Sequence, residues 1–216
     1  VHLKEKLGLI YRVNYKELNE EDWAHSWKAY FWPQKIGRNM VVKPTWRDYR
    51  SDAGELVIEL DPGMAFGTGT HPTTSLCAIM IEKYIKKGDR FLDVGTGSGI
   101  LAIAAISLGI KKGLGVDIDP CSIAEAAENR DLNHLQDRLV ISDRRIEAVD
   151  ASYSLVIANL RYPSLRQLFP QMIRLTDSSG WLVLSGFRVH EMRDLEALYT
   201  GRHFEAVWTA DEQDWA

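Results

Sequence analysis

From Arg90 onward, apolar and polar positions follow two alternating periods. Short apolar runs over 90–94, 113–117, 138–141, 153–158, 181–185 and 203–209 read as buried strands. The stretches between them, 99–108, 120–132, 163–175 and 189–199, have helical spacing and length. Alternating strands and helices predict an α/β fold, a mainly parallel sheet with helices on both faces. Two further runs, 40–42 and 56–60, predict a strand pair ahead of that sheet, and a helix is expected over 73–84.

One stretch organises this pattern. Phe91-Leu92-Asp93-Val94 ends a strand, and Gly95-Thr96-Gly97-Ser98-Gly99 turns the chain into the apolar helix beginning at Ile100. Glycine lets the backbone turn sharply and lets a ligand touch it, and the helix start presents free N–H groups to an anionic group. Dinucleotide binders use G-x-G-x-x-G. Here the third glycine arrives one residue early and Ile100 stands where that pattern needs Gly or Ala. The spacing favours a nucleoside without a pyrophosphate over the dinucleotide of an oxidoreductase. Gly113-Leu114-Gly115-Val116-Asp117 then ends in an acid 22 residues after Gly95, where a carboxylate can accept both ribose hydroxyls. Asp119 is a rival, but Pro120 and the helix after it make Asp119 a candidate cap.

Composition narrows the setting. The chain has 216 residues, enough for one sizeable core with an appendage. A net charge of −4 argues against a general nucleic-acid sleeve, and no direct nucleic-acid partner is expected. Cys77 and Cys121 lie far apart without metal spacing, as reduced thiols of a cytoplasmic protein do. No apolar run reaches membrane length, so no membrane partner is expected, and a monomer is the default. The chain begins at Val1 and not at methionine, as a fragment of a longer protein would.

Before the main sheet, 7–13 has strand composition and 20–31 reads as a helix, with Trp23, Trp27 and Phe31 on one face and Pro33 ending it. From Trp27 to Arg50, six basic residues accompany one acid, Asp48. Such a stretch can contact RNA, but a helix docked by its aromatics with lysines in water is the simpler reading.

The segment Asp61-Pro62-Gly63-Met64-Ala65-Phe66-Gly67-Thr68-Gly69-Thr70-His71-Pro72-Thr73-Thr74, the glycine turn and Ala158-Asn159-Leu160 closely resemble the ribosomal protein L11 methyltransferases, one family of the seven-stranded S-adenosylmethionine-dependent enzymes. The likeness runs from about Asp22 to the C-terminus. It implies a seven-stranded sheet, S-adenosylmethionine as cofactor, and a ribosomal protein of the large-subunit stalk base as the substrate whose amino groups are methylated. It also implies that Thr74, Gly95, Asp117 and Asn159 touch the cofactor, with Gly97 in the same turn. Asn159, at the carboxyl edge of the sheet, is the candidate catalytic residue, holding cofactor or orienting the amine. His71 invites a general-base role, though His-Pro at a helix start is more often structural. Phe66 is either a closing element or a loop anchor.

The sequence departs from the family in three places. Leu160-Arg161-Tyr162 follows Asn159 where two aliphatics and a small residue are usual, and Asn-x-x-Tyr faintly resembles the Asn-Pro-Pro-Tyr of amide and base methyltransferases. The chain stops at Ala216, short of the usual last strand. At the other end, only the tail of a recognition domain is expected. The expected organisation is that remnant over 1–22, a linker over 23–50 and the methyltransferase domain over 51–216.

Overall fold

The computed structural model describes residues 28–85, 90–201 and 204–216. The strand expected over 7–13 and most of the helix over 20–31, with Trp23 and Trp27, lie outside them. The chain divides into two compact units, Val1–Trp32 and Pro33–Ala216.

At the centre of the second unit is a five-stranded sheet of β4 (Arg90–Val94), β5 (Lys112–Val116), β6 (Leu139–Ser142), β7 (Tyr153–Asn159) and β8 (Thr176–Ser185), in the order β6-β5-β4-β7-β8. Every pairing is parallel. The chain runs outward from β4 to β6, then crosses to the other side of β4, so the carboxyl ends of β4 and β7 form the topological switch point where ligands bind in such folds. A second sheet joins β1 (Gln34–Ile36), β2 (Met40–Lys43) and β3 (Leu56–Glu59). The expected pair is β2 and β3, which run parallel.

The helices are α1 (Pro72–Tyr84), α2 (Ile100–Ser107), α3 (Pro120–Leu132), α4 (Tyr162–Gln167), α5 (Phe169–Leu175) and α6 (Met192–Thr200). Ile100 to Ile106 are all buried in α2, apolar on every side, because α1, α3 and the sheet enclose it. The opposite face carries a second core, including Val94, Val156, Met172 and Tyr199.

Three expectations are corrected. The helix expected over 163–175 is two helices that meet at Leu168 and Phe169. Pro170 has no N–H for the ladder and its ring would crowd the carbonyl of Arg166, so it opens a new helix instead of continuing one. Residues 204–210 form no strand. Glu205 to Thr209 are exposed on both faces, and a lone strand without a partner or a buried face does not hold. Among the described residues the main sheet therefore has five strands where seven were implied. The end of β8 is met instead by the last residues of the chain: Gly186 N–H donates to Ala216 O (3.1 Å) and Ala216 N–H to Phe187 O (2.9 Å).

One stripe of α3 reads the backbone of the segment leading to the site. Asn133, Asn129 and Glu125 recur at four-residue spacing, hence on one face. Asn133 accepts from Glu59 N–H (3.0 Å) and donates to Glu59 O (2.6 Å). Asn129 accepts from Asp61 N–H (3.0 Å) and donates to Ser98 O (2.9 Å). Glu125 accepts from Gly63 and Ala65 N–H at 3.1 and 2.9 Å. Backbone groups buried in an irregular loop need partners, and these three side chains supply them.

Candidate active site

A cavity of about 670 Å³ opens at the switch point. Thr74, Gly95, Gly97, Asp117 and Asn159 all line it, so the structure brings together the five residues that the family resemblance assigns to the cofactor. A second cavity of about 610 Å³ runs along the outer side of β8, lined by apolar side chains such as Met80, Tyr84 and Trp181 and by none of those five. The first is the candidate site.

The floor is the turn after β4. Gly97 has φ +55°, and a Cβ there would collide with Phe66 O. The fit is close because Ser98 N–H donates to Phe66 O (2.9 Å) and Ser98 Oγ–H to Gly67 O (2.6 Å), which lays the Asp61–Thr74 segment over the turn. Beneath, Asp93 is buried with Oδ2 accepting from Thr96 Oγ–H at 2.8 Å. Burial pushes its carboxyl up to about 7, the Thr96 bond opposes that, and Asp117 adds to it.

Asp117 ends β5. Its Oδ2 accepts from Gly97 N–H (2.9 Å), and its Oδ1 from Ile118 N–H (2.8 Å) and Asp119 N–H (3.1 Å). Three of about four acceptor sites on the carboxylate are thus taken, leaving one on Oδ2. Asp119 instead caps α3, accepting from Cys121 N–H (3.2 Å), Ser122 N–H (3.3 Å) and Ser122 Oγ–H (2.9 Å). Those bonds, led by the Ser122 hydroxyl, hold its carboxyl below the ordinary range.

Among the described residues, two buried oxygens in this cavity stand without hydrogen-bond partners: Thr74 Oγ1 and Asn159 Oδ1. Thr74 lies in the first turn of α1, and its hydroxyl is not used as the cap. His71 fills that role, its Nδ1 meeting Thr73 N–H (3.4 Å) and Thr73 Oγ1 (2.8 Å). His71 thus caps α1 through Nδ1. Burial first, and the charge of Arg188 second, hold its imidazole below the usual range. Asn159 ends β7 opposite Ser185 of β8. Gly186 follows with φ +92°, and a Cβ there would press on Leu160 O (2.7 Å) and Asn159 Oδ1 (2.8 Å).

The remaining wall is aromatic. The rings of Phe66 and His71 meet edge-on at 5.2 Å, those of His71 and Trp215 at 4.7 Å. Sequence reading missed Trp215, Gly186, Ile118 and the arginines Arg144, Arg145 and Arg161, all of which line the cavity. Gly186 left a signal, a glycine just past a strand. Trp215, next to the end of the chain, left none, because only the return of the C-terminus beside β8 brings it here.

The sequence matches the family described as "Ribosomal protein L11 methyltransferase (PrmA)" over residues 2–216. Curated relatives include the ribosomal protein L11 methyltransferases of Heliobacterium modesticaldum, 40% identical over 93% of this chain and 64% of that protein, and of Desulfosudis oleivorans, 44% identical over 90% and 66%. The chain thus spans just under two thirds of the length of these relatives. The crystal structure of a ribosomal protein L11 methylase from Lactobacillus delbrueckii subsp. bulgaricus superposes with a TM-score of 0.79 at 32% identity, covering 85% of this chain and 94% of that one. The α/β architecture with its five parallel strands is shared with a solved member, and the chain belongs to the ribosomal protein L11 methyltransferase family.

Proposed function

We propose that the protein binds S-adenosylmethionine at the switch-point cavity and transfers its methyl group to amino groups of ribosomal protein L11, in the cytoplasm. The observation that carries this is the pair of buried, unpartnered oxygens, Thr74 Oγ1 and Asn159 Oδ1, in one cavity with the glycine turn. A buried hydroxyl or amide without a partner is unfavourable by about 1–3 kcal/mol, which a polar ligand would recover. The group fits: Gly95 and Gly97 offer bare backbone, the free acceptor site of Asp117 suits a ribose hydroxyl, and Thr74 suits the carboxylate of the methionine part. The cofactor supplies an electrophilic methyl on a sulfonium.

Asn159 is the residue proposed to act on the acceptor. Its Oδ1 accepts an N–H from the incoming amine and aims the nitrogen lone pair away from that bond. With His71 committed as a cap, catalysis is by positioning, a large contributor to rate in its own right.

The test is incubation with labelled cofactor and large-subunit ribosomal proteins, followed by mass spectrometry of the acceptor. Label in L11 amino groups is expected, with at least a tenfold loss for Asn159→Ala at saturating cofactor. Undiminished turnover in that variant removes Asn159 from the chemistry. Label in a different acceptor keeps the transfer and changes its target, to which the departure at Leu160-Arg161-Tyr162 would then be related.

A further inference from the structure

A lysine-type amine keeps its proton up to about pH 10.4 in water, yet only the neutral amine has a lone pair to give. Among the described residues, no carboxylate lines the cavity on the flank of Asn159. His71 Nδ1 is engaged by Thr73, and Asp93 is buried beneath the turn on Thr96. The carboxylates lining the cavity, Asp117 and Glu147, follow β5 and β6, on one flank of the sheet. Arg144 and Arg145 share that flank, Arg145 lying 3.7 Å from Glu147.

The opposite flank, formed by the ends of β7 and β8, holds Asn159 and Gly186, and the charged side chain lining it is Arg161. Arg161 is exposed, and its guanidinium has no ion pair or hydrogen bond among the described residues. Two acids on neighbouring elements, one on α6 and one near the C-terminus, are engaged by other side chains. Asp194 is held by the Tyr162 hydroxyl and by Arg166, and Asp214 lies 3.5 Å from Arg188. Arg188 itself stands 3.7 Å from the centre of the Trp215 ring, and its charge, after burial, helps hold the His71 imidazole below its usual range. Among the described residues, the charged side chains that line or border this flank are therefore arginines, in a chain whose net charge is −4.

We propose that Arg161 is an electrostatic determinant of acceptor activation: its unneutralised charge beside Asn159 disfavours the ammonium form, so the amine reaches the site as the neutral nucleophile. This rests on the proposed methyl transfer. The proton passes to solvent, and the lone pair it leaves becomes the new N–C bond as the donor's C–S bond breaks and its electrons stay on sulfur. An exposed cation on the cavity wall acts through solvent and should ease deprotonation by about half a pH unit, an effect that salt screens.

Sinefungin tests this without turnover, because it carries a primary amine where the cofactor carries its methylsulfonium. Its binding is measured by calorimetry from pH 7 to 9.5 on the wild type, Arg161→Lys, Arg161→Gln and Arg161→Glu. Arg161 makes no side-chain cap bond to α4, so no cap is lost. The apparent pKa of the bound amine is expected to rise by about 0.5 unit in Arg161→Gln and about 1 unit in Arg161→Glu. It should stay unchanged in Arg161→Lys, and the differences should shrink in ~1 M salt. Acceptor methylation at pH 7 should fall two- to threefold in Arg161→Gln and recover as the pH rises. Binding with identical pH profiles in all four proteins overturns the proposal alone. A wild type that binds neither sinefungin nor cofactor overturns the methyl transfer and the proposal with it.

Discussion

Asp117 and Asp119 stand two residues apart past β5, and their hydrogen bonds separate their duties. Asp119 spends its oxygens on the first turn of α3. Asp117 binds the glycine turn to the end of β5 and keeps one acceptor site open to the cavity. Asp117→Ala is expected to weaken cofactor binding by at least tenfold, because a hydrogen bond to a charged acceptor contributes roughly 1.5–3 kcal/mol. Asp119→Ala should leave affinity nearly unchanged and lower stability by about 1 kcal/mol through the lost cap. Equal affinity losses by calorimetry would refute this division. The capping duty of Asp119 was legible in the sequence, because Pro120 marks the helix start. The state of Asp93 was not, since no local pattern reveals a carboxyl sealed under a turn. Burial raises its folded-state value from 3.8 to about 7, so the folded protein favours the protonated acid. That contribution is fully present below pH 3.8 and is lost as pH rises to about 7. Asp93→Asn, which mimics the neutral acid, should therefore gain stability over the wild type as pH rises from 4 to 8. Urea denaturation at the two pH values measures it, and an unchanged difference between the proteins rules it out.

At the scale of elements, the legible parts are those whose signal is local. Strand, glycine turn and helix 90–107 follow from apolar runs and glycines, and α3 spans the residues expected of it, 120–132, because Asp119 and Pro120 define its start. The split between α4 and α5 was available in Pro170 and was overridden by helical spacing on both sides. The stripe of Glu125, Asn129 and Asn133 was invisible for another reason. Its partners are backbone groups 31–74 residues away, and backbone groups carry no sequence signature. Asn129 is buried and serves two of them, Asp61 N–H and Ser98 O. Asn129→Ala leaves both without partners and should lower stability by about 2–4 kcal/mol. Because Ser98 also anchors Phe66 and Gly67 over the turn, cofactor affinity should fall with it. A shift of the urea midpoint at constant m-value reads the first effect, and a loss below about 1 kcal/mol would show that water replaces the amide.

For the whole molecule, the α/β class with a parallel sheet was legible and the number of strands was not. The apolar residues of 203–209 mark a segment able to pair, but whether it does depends on a neighbour at β8, and Val207 and Trp208 remain 55% and 38% exposed. The residues assigned to the cofactor, from Thr74 to Asn159, lie wholly within the unit Pro33–Ala216. The chain nevertheless accounts for only 64% of the Heliobacterium relative's length. Cofactor binding and acceptor recognition should therefore scale differently between the two proteins. Cofactor affinity depends on one cavity, so this chain and the whole relative should agree to within about threefold, or ~0.7 kcal/mol. Acceptor recognition draws on remote contacts that orient the reacting amine, and binding energy of that kind is expressed in kcat/KM. If the unmatched third of the relative supplies such contacts, kcat/KM for L11 should be lower in this chain by orders of magnitude, at saturating cofactor and low acceptor concentration. Labelled-methyl assays of both proteins on the same L11 sample decide it. Equal rates would place recognition within these 216 residues, and the basic residues between Lys35 and Arg50 would be the first to neutralise.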